Sequence, residues 1–244
     1  RKHHAFSDAV GDPHSPWTYG RSTRGLVKGF LYAHMAWLVD AEQTPTARYA
    51  PDLEKDADLD VFKKRIEDYG TAVEIVPAGT LFACGRALKF NLPSGHEFYL
   101  YAEKEFVGKD VGVTNPAPWP TDKKGIAAHW LDHALLMCEL NPEKGINKVQ
   151  ESTDFMMKVF DFHLAEQVVV GPNQDIKAAT WLFRTSTPHD LAFVGGPVMG
   201  LHHIAFFLDE WNDVLKAADI MAMNNVKVDV TPQRHGITRG YTIY

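Results

Sequence analysis

The sequence predicts an α+β fold assembled from repeated strand–helix–strand units. Three observations carry that expectation. Apolar strand-like runs alternate with amphipathic helical runs along most of the chain. Residues 112–125 (GVTNPAPWPTDKKG), with three prolines and two glycines, interrupt the pattern, and it begins again beyond them. Two segments also resemble each other: His34-Met35-Ala36-Trp37-Leu38-Val39-Asp40 matches His203-Ile204-Ala205-Phe206-Phe207-Leu208-Asp209.

Each element follows from local chemistry. Residues 1 to about 28 give no periodic signal, and His3, His4 and His14 within them read as solvated chain rather than a metal site; residues 1–33 are left as an unplaced N-terminal segment. An apolar strand is expected at 30–39 and a Pro-bearing loop after it. The helix at 59–69 puts Leu59, Phe62 and Ile66 on one face, and Gly70 closes it. A strand at 71–76 precedes a hairpin of 87–92 and 97–101 turning through Pro93-Ser94-Gly95. Beyond the linker, strands are expected at 126–137, 167–170, 179–183 and 191–194, and a helix at 153–160.

The repeat extends the comparison. Each matched strand leads into an amphipathic helix, a short strand (72–76 or 226–230) and a polar loop (77–86 or 232–241). The first copy continues into a hairpin; the second stops at Tyr244 in mid-strand. The chain therefore reads as a fragment, with the C-terminal repeat truncated.

Composition bounds the function. With 244 residues, 45% hydrophobic and 23% charged, the chain can build a real core. A net charge of −6 argues against a nucleic-acid partner, which needs a basic stripe. No apolar run is long enough for a transmembrane helix, so no membrane partner is expected. Two cysteines that make no CxxC pair read as reduced thiols in the cytoplasm. GxGxxG, Walker, HExxH and GxSxG motifs are all lacking.

Histidines on strands are the chemical signal. His133 lies in an apolar strand, and His202-His203 open another, with neighbouring imidazoles expected on opposite sides. His133 and His203 begin corresponding strands, so folding could join them. Two imidazoles and a carboxylate on one face make a facial triad with open positions. Core histidines bonded to backbone carbonyls explain the pair equally well. His189 and His235 lie in loops, where a histidine can act as acid or base, although an exposed loop histidine is the simpler reading. His34 is expected to be structural and the first copy metal-free.

The residues PAGTLFACGRALKFNLPSGHEFYLYAEKEFVGK, NPAPWPTDKKGIAAHWLDHALL, FHLAEQV, STPHDLAF, GLHHIAFFLDEW and TPQRHGITRGYTIY resemble the extradiol ring-cleaving dioxygenases of the vicinal oxygen chelate superfamily. The resemblance runs from about residue 58 to Tyr244. It implies two vicinal-oxygen-chelate domains of βαβββ repeats: 34–111 without metal, and 126–244 catalytic and incomplete, joined by the 112–125 linker. It implies Fe(II) held by His133 and His203, with a glutamate beyond Tyr244 as third ligand. His189 would handle oxygen and its protons, and His235 and Tyr244 the substrate's oxygens. Trp181, Ile237 and Thr238 would line the pocket. The implied reaction is O2-dependent extradiol cleavage of catechol or alkylcatechols to 2-hydroxymuconate semialdehydes, by a homo-oligomer, a tetramer by resemblance. The alternative is a non-catalytic small-molecule-binding module of the same fold.

Overall fold

In the computed structural model, residues 55–81, 84–103, 125, 126, 128, 130–184 and 188–244 are described. The strand expected at 30–39, with His34, and nearly all of the 112–125 linker lie outside them. Helix α1 (Asp58–Asp68) buries Leu59, Phe62 and Ile66, the predicted face. Its C-cap is Tyr69, and Gly70 follows at φ +96°, a conformation that favours glycine. Strands β1 (Val73–Val76), β2 (Ala87–Asn91) and β3 (Glu97–Tyr101) form an antiparallel sheet in the order β1-β2-β3. The turn between β2 and β3 closes with the Gly95 N–H donating to the Leu92 carbonyl at 2.7 Å.

The second sheet has six strands. β4 (Trp130–Asn141) leads through a short 3-10 turn into β5 (Ile146–Asn147) and helix α2 (Lys148–Phe160). β6 (His163–Val170), β7 (Ile176–Phe183), β8 (Leu191–Gly196) and β9 (Gly200–Phe207) follow. The order is β5-β4-β8-β7-β6, with β9 pairing β4. β4 and β8 run parallel, Ala134 opposite Leu191; β8, β7 and β6 are antiparallel neighbours. β8 ends in two glycines because β4 leaves no room for side chains there. A Cβ on Gly196 would stand 2.3 Å from Met137 Sδ, and one on Gly195 2.4 Å from Leu140 Cδ2.

Two boundaries differ from expectation. β4 starts and ends four residues later than 126–137, because its partners on β8 and β5 lie opposite residues 134–141. Helix α2 begins at Lys148, not at residue 153. Asn147 caps it, its side-chain oxygen accepting from the Gln150 N–H at 3.0 Å. Ser152 and Thr153 are wholly buried on its core face, so polar residues interrupt the apolar period there. Thr153 resolves its burial by sharing a hydrogen bond with Thr180 on β7, Oγ1 to Oγ1 at 2.7 Å. Replacing the cap, Asn147→Ala, is expected to lower stability by about 1 kcal/mol, read from the urea midpoint; an unchanged midpoint would deny the cap its role.

The chain divides into two compact units. One holds residues 24–106 and 133–204; the other holds 1–23, 107–132 and 205–244. The core of the first is aromatic: Phe62 stacks on Phe160 with centroids 5.6 Å apart, and Phe90 meets Phe160 at 5.6 Å and Phe155 at 6.0 Å. α1 and β2 thus share one core with α2. At its rim Arg65 donates to both oxygens of Asp161, at 2.9 and 2.7 Å, and holds that carboxyl below the usual range. Asp161 sits at φ +56° as the C-cap of α2, so the ion pair ties α1 to the end of α2.

In the second unit, α3 (Trp211–Met223) buries Val214 and Ala217. A hairpin of β10 (Gln233–Arg234) and β11 (Tyr241–Thr242) follows, with Arg234 opposite Tyr241. Two expectations are corrected here. Residues 226–230 alternate like a strand but form none; only the last of them, Val230, exchanges both backbone bonds with Tyr244, at 3.0 Å each. The expected polar loop is largely this hairpin, and the His235 N–H extends it by donating to the Gly240 carbonyl at 2.8 Å. Among the described residues no helix is long and apolar enough to cross a membrane.

Candidate metal centre

β4 carries His133 and β9 carries His203, and the two strands are neighbours. Their rings meet edge to face, with Nε2 facing Nε2 at 3.2 Å. Two neutral imidazoles can close to this distance when one nitrogen keeps its proton and donates to the other. The same separation suits two nitrogens bound side by side to one ion at about 2.1 Å. The donor set therefore fits a divalent transition metal. Asp132, a carboxylate, precedes His133 on β4.

His189 joins this pair. Its ring centroid lies 4.0 Å from that of His133, and the two offer donor nitrogens within 4.8 Å of each other. The reading of His189 as an exposed loop residue is corrected: it is 5% exposed. The reason is the turn entering β8, where the Asp190 N–H donates to the Leu182 carbonyl at 2.8 Å and the Asp190 carboxylate accepts from the Arg184 N–H at 2.7 Å. That pinned turn folds the imidazole inward.

His202 does not point away from His203 as alternation along a strand predicts. The two Nδ1 atoms stand 2.9 Å apart, within hydrogen-bond distance, with the rings edge to face at 5.0 Å. His202 remains exposed and His203 half-buried.

Trp181 on β7 is 6% exposed and packs with Leu135, Ala179 and Ala192 inside the sheet. His235, Ile237 and Thr238 sit at the tip of the β10–β11 hairpin, where His235 Nδ1 and Thr238 Oγ1 are 3.2 Å apart. Tyr244 is half-buried, and burial raises its phenol above the ordinary value.

One residue escaped the sequence reading. His96, beside the Pro-Ser-Gly turn, is 3% exposed and reaches the backbone of β9 at Gly200, 104 residues away. A histidine directly after a tight hairpin turn was the only local hint.

Two family models match the chain. The one described as "Catechol 2,3-dioxygenase-like N-terminal domain" matches residues 52–105. That described as "Glyoxalase/Bleomycin resistance protein/Dioxygenase superfamily" matches residues 131–244. A metapyrocatechase of Pseudomonas sp. (strain CF600) is 41% identical over 72% of this chain and 55% of its own length. A manganese-dependent 2,3-dihydroxybiphenyl 1,2-dioxygenase of Geobacillus genomosp. 3 is 27% identical over 77% of this chain and 58% of its own. The chain thus spans little more than half the length of these relatives. The crystal structure of the 2,3-dioxygenase LapB from Pseudomonas sp. KL28 superposes with a TM-score of 0.67 at 41% identity, covering 78% of this chain and 64% of that one. Homoprotocatechuate 2,3-dioxygenase of Arthrobacter globiformis, at 20% identity and a TM-score of 0.61, shares the fold. With its mixed α+β sheets and both matched models, the chain belongs to the glyoxalase/bleomycin resistance protein/dioxygenase superfamily.

Proposed function

We propose that this chain serves extradiol cleavage of catechol or alkylcatechols by O2, giving 2-hydroxymuconate semialdehydes. One observation carries the reading: His133 Nε2 and His203 Nε2 converge at 3.2 Å beside a buried third histidine. In this proposal those two imidazoles hold Fe(II), and the third ligand is the family's glutamate, beyond Tyr244. When bound, ferrous iron lowers the pKa of a catechol hydroxyl and lets electrons pass from the ring to O2. The modules are residues 34–111 and 126–244, joined by 112–125; the two separately matched models, 52–105 and 131–244, support that division. The protein acts in the cytoplasm as a homo-oligomer, a tetramer by resemblance.

The protein's own groups divide the remaining work. His133 and His203 bind as neutral rings. His189 is held out of water next to His133, so its imidazole takes and returns a proton at the oxygen that reacts. His235 and Tyr244 bond the substrate's oxygens. With Nδ1 of His235 engaged by Thr238, its Nε2 is the nitrogen that faces substrate. Trp181, Ile237 and Thr238 shape the apolar side of the pocket.

The test is anaerobic loading with Fe(II) of the polypeptide that includes the proposed glutamate ligand, then catechol and oxygen. A yellow ring-fission product is expected, and its absence from iron-loaded protein would overturn the reading. His189→Phe is expected to keep iron and catechol affinity while slowing turnover by about 10²–10⁴. Stopped-flow mixing with O2 checks it, and the parental rate in that variant would remove His189 from proton handling.

A further inference from the structure

The β2–β3 hairpin carries a buried polar cluster that the proposed reaction does not use. Ser94 is 9% exposed and His96 3%. The Ser94 Oγ stands 2.8 Å from His96 Nδ1, and His96 Nε2 stands 3.1 Å from the Gly200 carbonyl oxygen. A carbonyl only accepts, so Nε2 carries the proton and donates. Nδ1 then accepts from the Ser94 hydroxyl. Both ring nitrogens are satisfied in one neutral tautomer, and burial opposes the charged form, lowering the pKa.

The far end of this bond matters. Gly200 is the first residue of β9, and His203 stands three residues further along the same strand. The hairpin tip is itself rigid. Gly95 lies at φ +91°, the Leu92 N–H donates to the His96 carbonyl at 2.9 Å, and Asn91 Nδ2 donates to the Gly95 carbonyl at 3.1 Å. The tip also abuts the turn before β9, since a Cβ on Gly95 would stand 3.1 Å from Met199 Sδ. A fixed donor on a fixed turn holds the origin of the strand that carries one imidazole of the pair.

We propose that His96, oriented by Ser94, is a positioning residue for the metal centre: its bond to Gly200 sets β9 and thereby the approach of His203 to His133. The inference rests on the metal-site reading above. It makes the metal-free module a working part of the centre, because its hairpin supplies the strut. Groups outside the ligand sphere that orient a ligand change metal affinity about 10–100-fold. A strut acting through one strand belongs at the lower end of that range.

The experiment is titration of the chain with Co(II), reading affinity and the visible ligand-field spectrum, with circular dichroism monitoring the fold. His96→Leu is expected to bind Co(II) about tenfold more weakly with an altered spectrum. His96→Gln, whose side-chain amide can donate to the same carbonyl, is expected to restore affinity to within about twofold. Ser94→Ala, which frees the ring but keeps it in place, is expected to fall between. Parental affinity and spectrum in His96→Leu would overturn the inference while leaving the metal site standing. If His96→Leu does not fold, Ser94→Ala decides, and parental binding there overturns it. If the parent binds no more Co(II) than His133→Ala, the metal-site reading itself fails, and the strut with it.

Discussion

His133→Ala is expected to reduce affinity for Fe(II) or Mn(II) by more than about a hundredfold, since changes outside the ligand sphere already cost 10–100-fold. Ring cleavage should fall to background with it. The argument is geometric. His133 is the shared member of the cluster: its Nε2 faces His203 at 3.2 Å, and its ring lies 4.0 Å from that of His189. Its removal takes away the nitrogen that faces His203 Nε2 and the ring packed beside His189. The fold should survive, because His133 is only half-buried and β4 remains anchored by its parallel register with β8. Metal titration with a melting curve on the same sample checks both parts. Undiminished affinity in a folded variant would remove His133 from the ligand set.

Phe155→Ala is expected to have the largest effect on stability. Phe155 is wholly buried on α2 and touches Tyr69, Phe90 and Phe160, with centroids 5.1, 6.0 and 5.9 Å away. Those partners come from α1's C-cap, β2 and α2 itself, so the void opens in the core that α1, β2 and α2 share. Deleting a buried phenyl ring costs about 3–5 kcal/mol, which for a chain of this size lowers the melting temperature by roughly 6–20 °C. Val61 on α1, 56% exposed, is the control, and its alanine variant should melt near the parent. Calorimetry reads both. Equal melting of Phe155→Ala and the parent would show that α2 does not share a core with α1 and β2.

What the sequence made legible follows from local physics. The face of α1 is visible because Leu59, Phe62 and Ile66 keep the helical period without interruption. The β2–β3 hairpin is visible because Pro93-Ser94-Gly95 demands a turn. The start of α2 was hidden because Ser152 and Thr153 occupy core positions, where pattern reading expects apolar groups. The burial of Thr153 is tolerable through its tertiary bond to Thr180, which a linear pattern does not contain. Residues 226–230 alternate correctly for a strand. Alternation, however, describes a surface and not a partner, and a ladder needs both.

The same division holds at the site. His133 and His203 were legible as a pair because matched strands carry them, and the sheet brings β4 beside β9. The burial of His189 was not legible. It depends on Asp190 gripping the Arg184 N–H and the Leu182 carbonyl, a local knot with no periodic signature. His96 was hidden for the opposite reason: its partner lies 104 residues away and is a backbone carbonyl, which has no residue identity to read.

The central claim is that the imidazoles of His133 and His203 grip one divalent cation. Anomalous diffraction from crystals soaked with Fe(II) or Mn(II) under argon tests it most directly. The account predicts a single strong peak between the two Nε2 atoms, within bonding distance of both. Rings that stay in direct contact at 3.2 Å, with no peak between them, would contradict it.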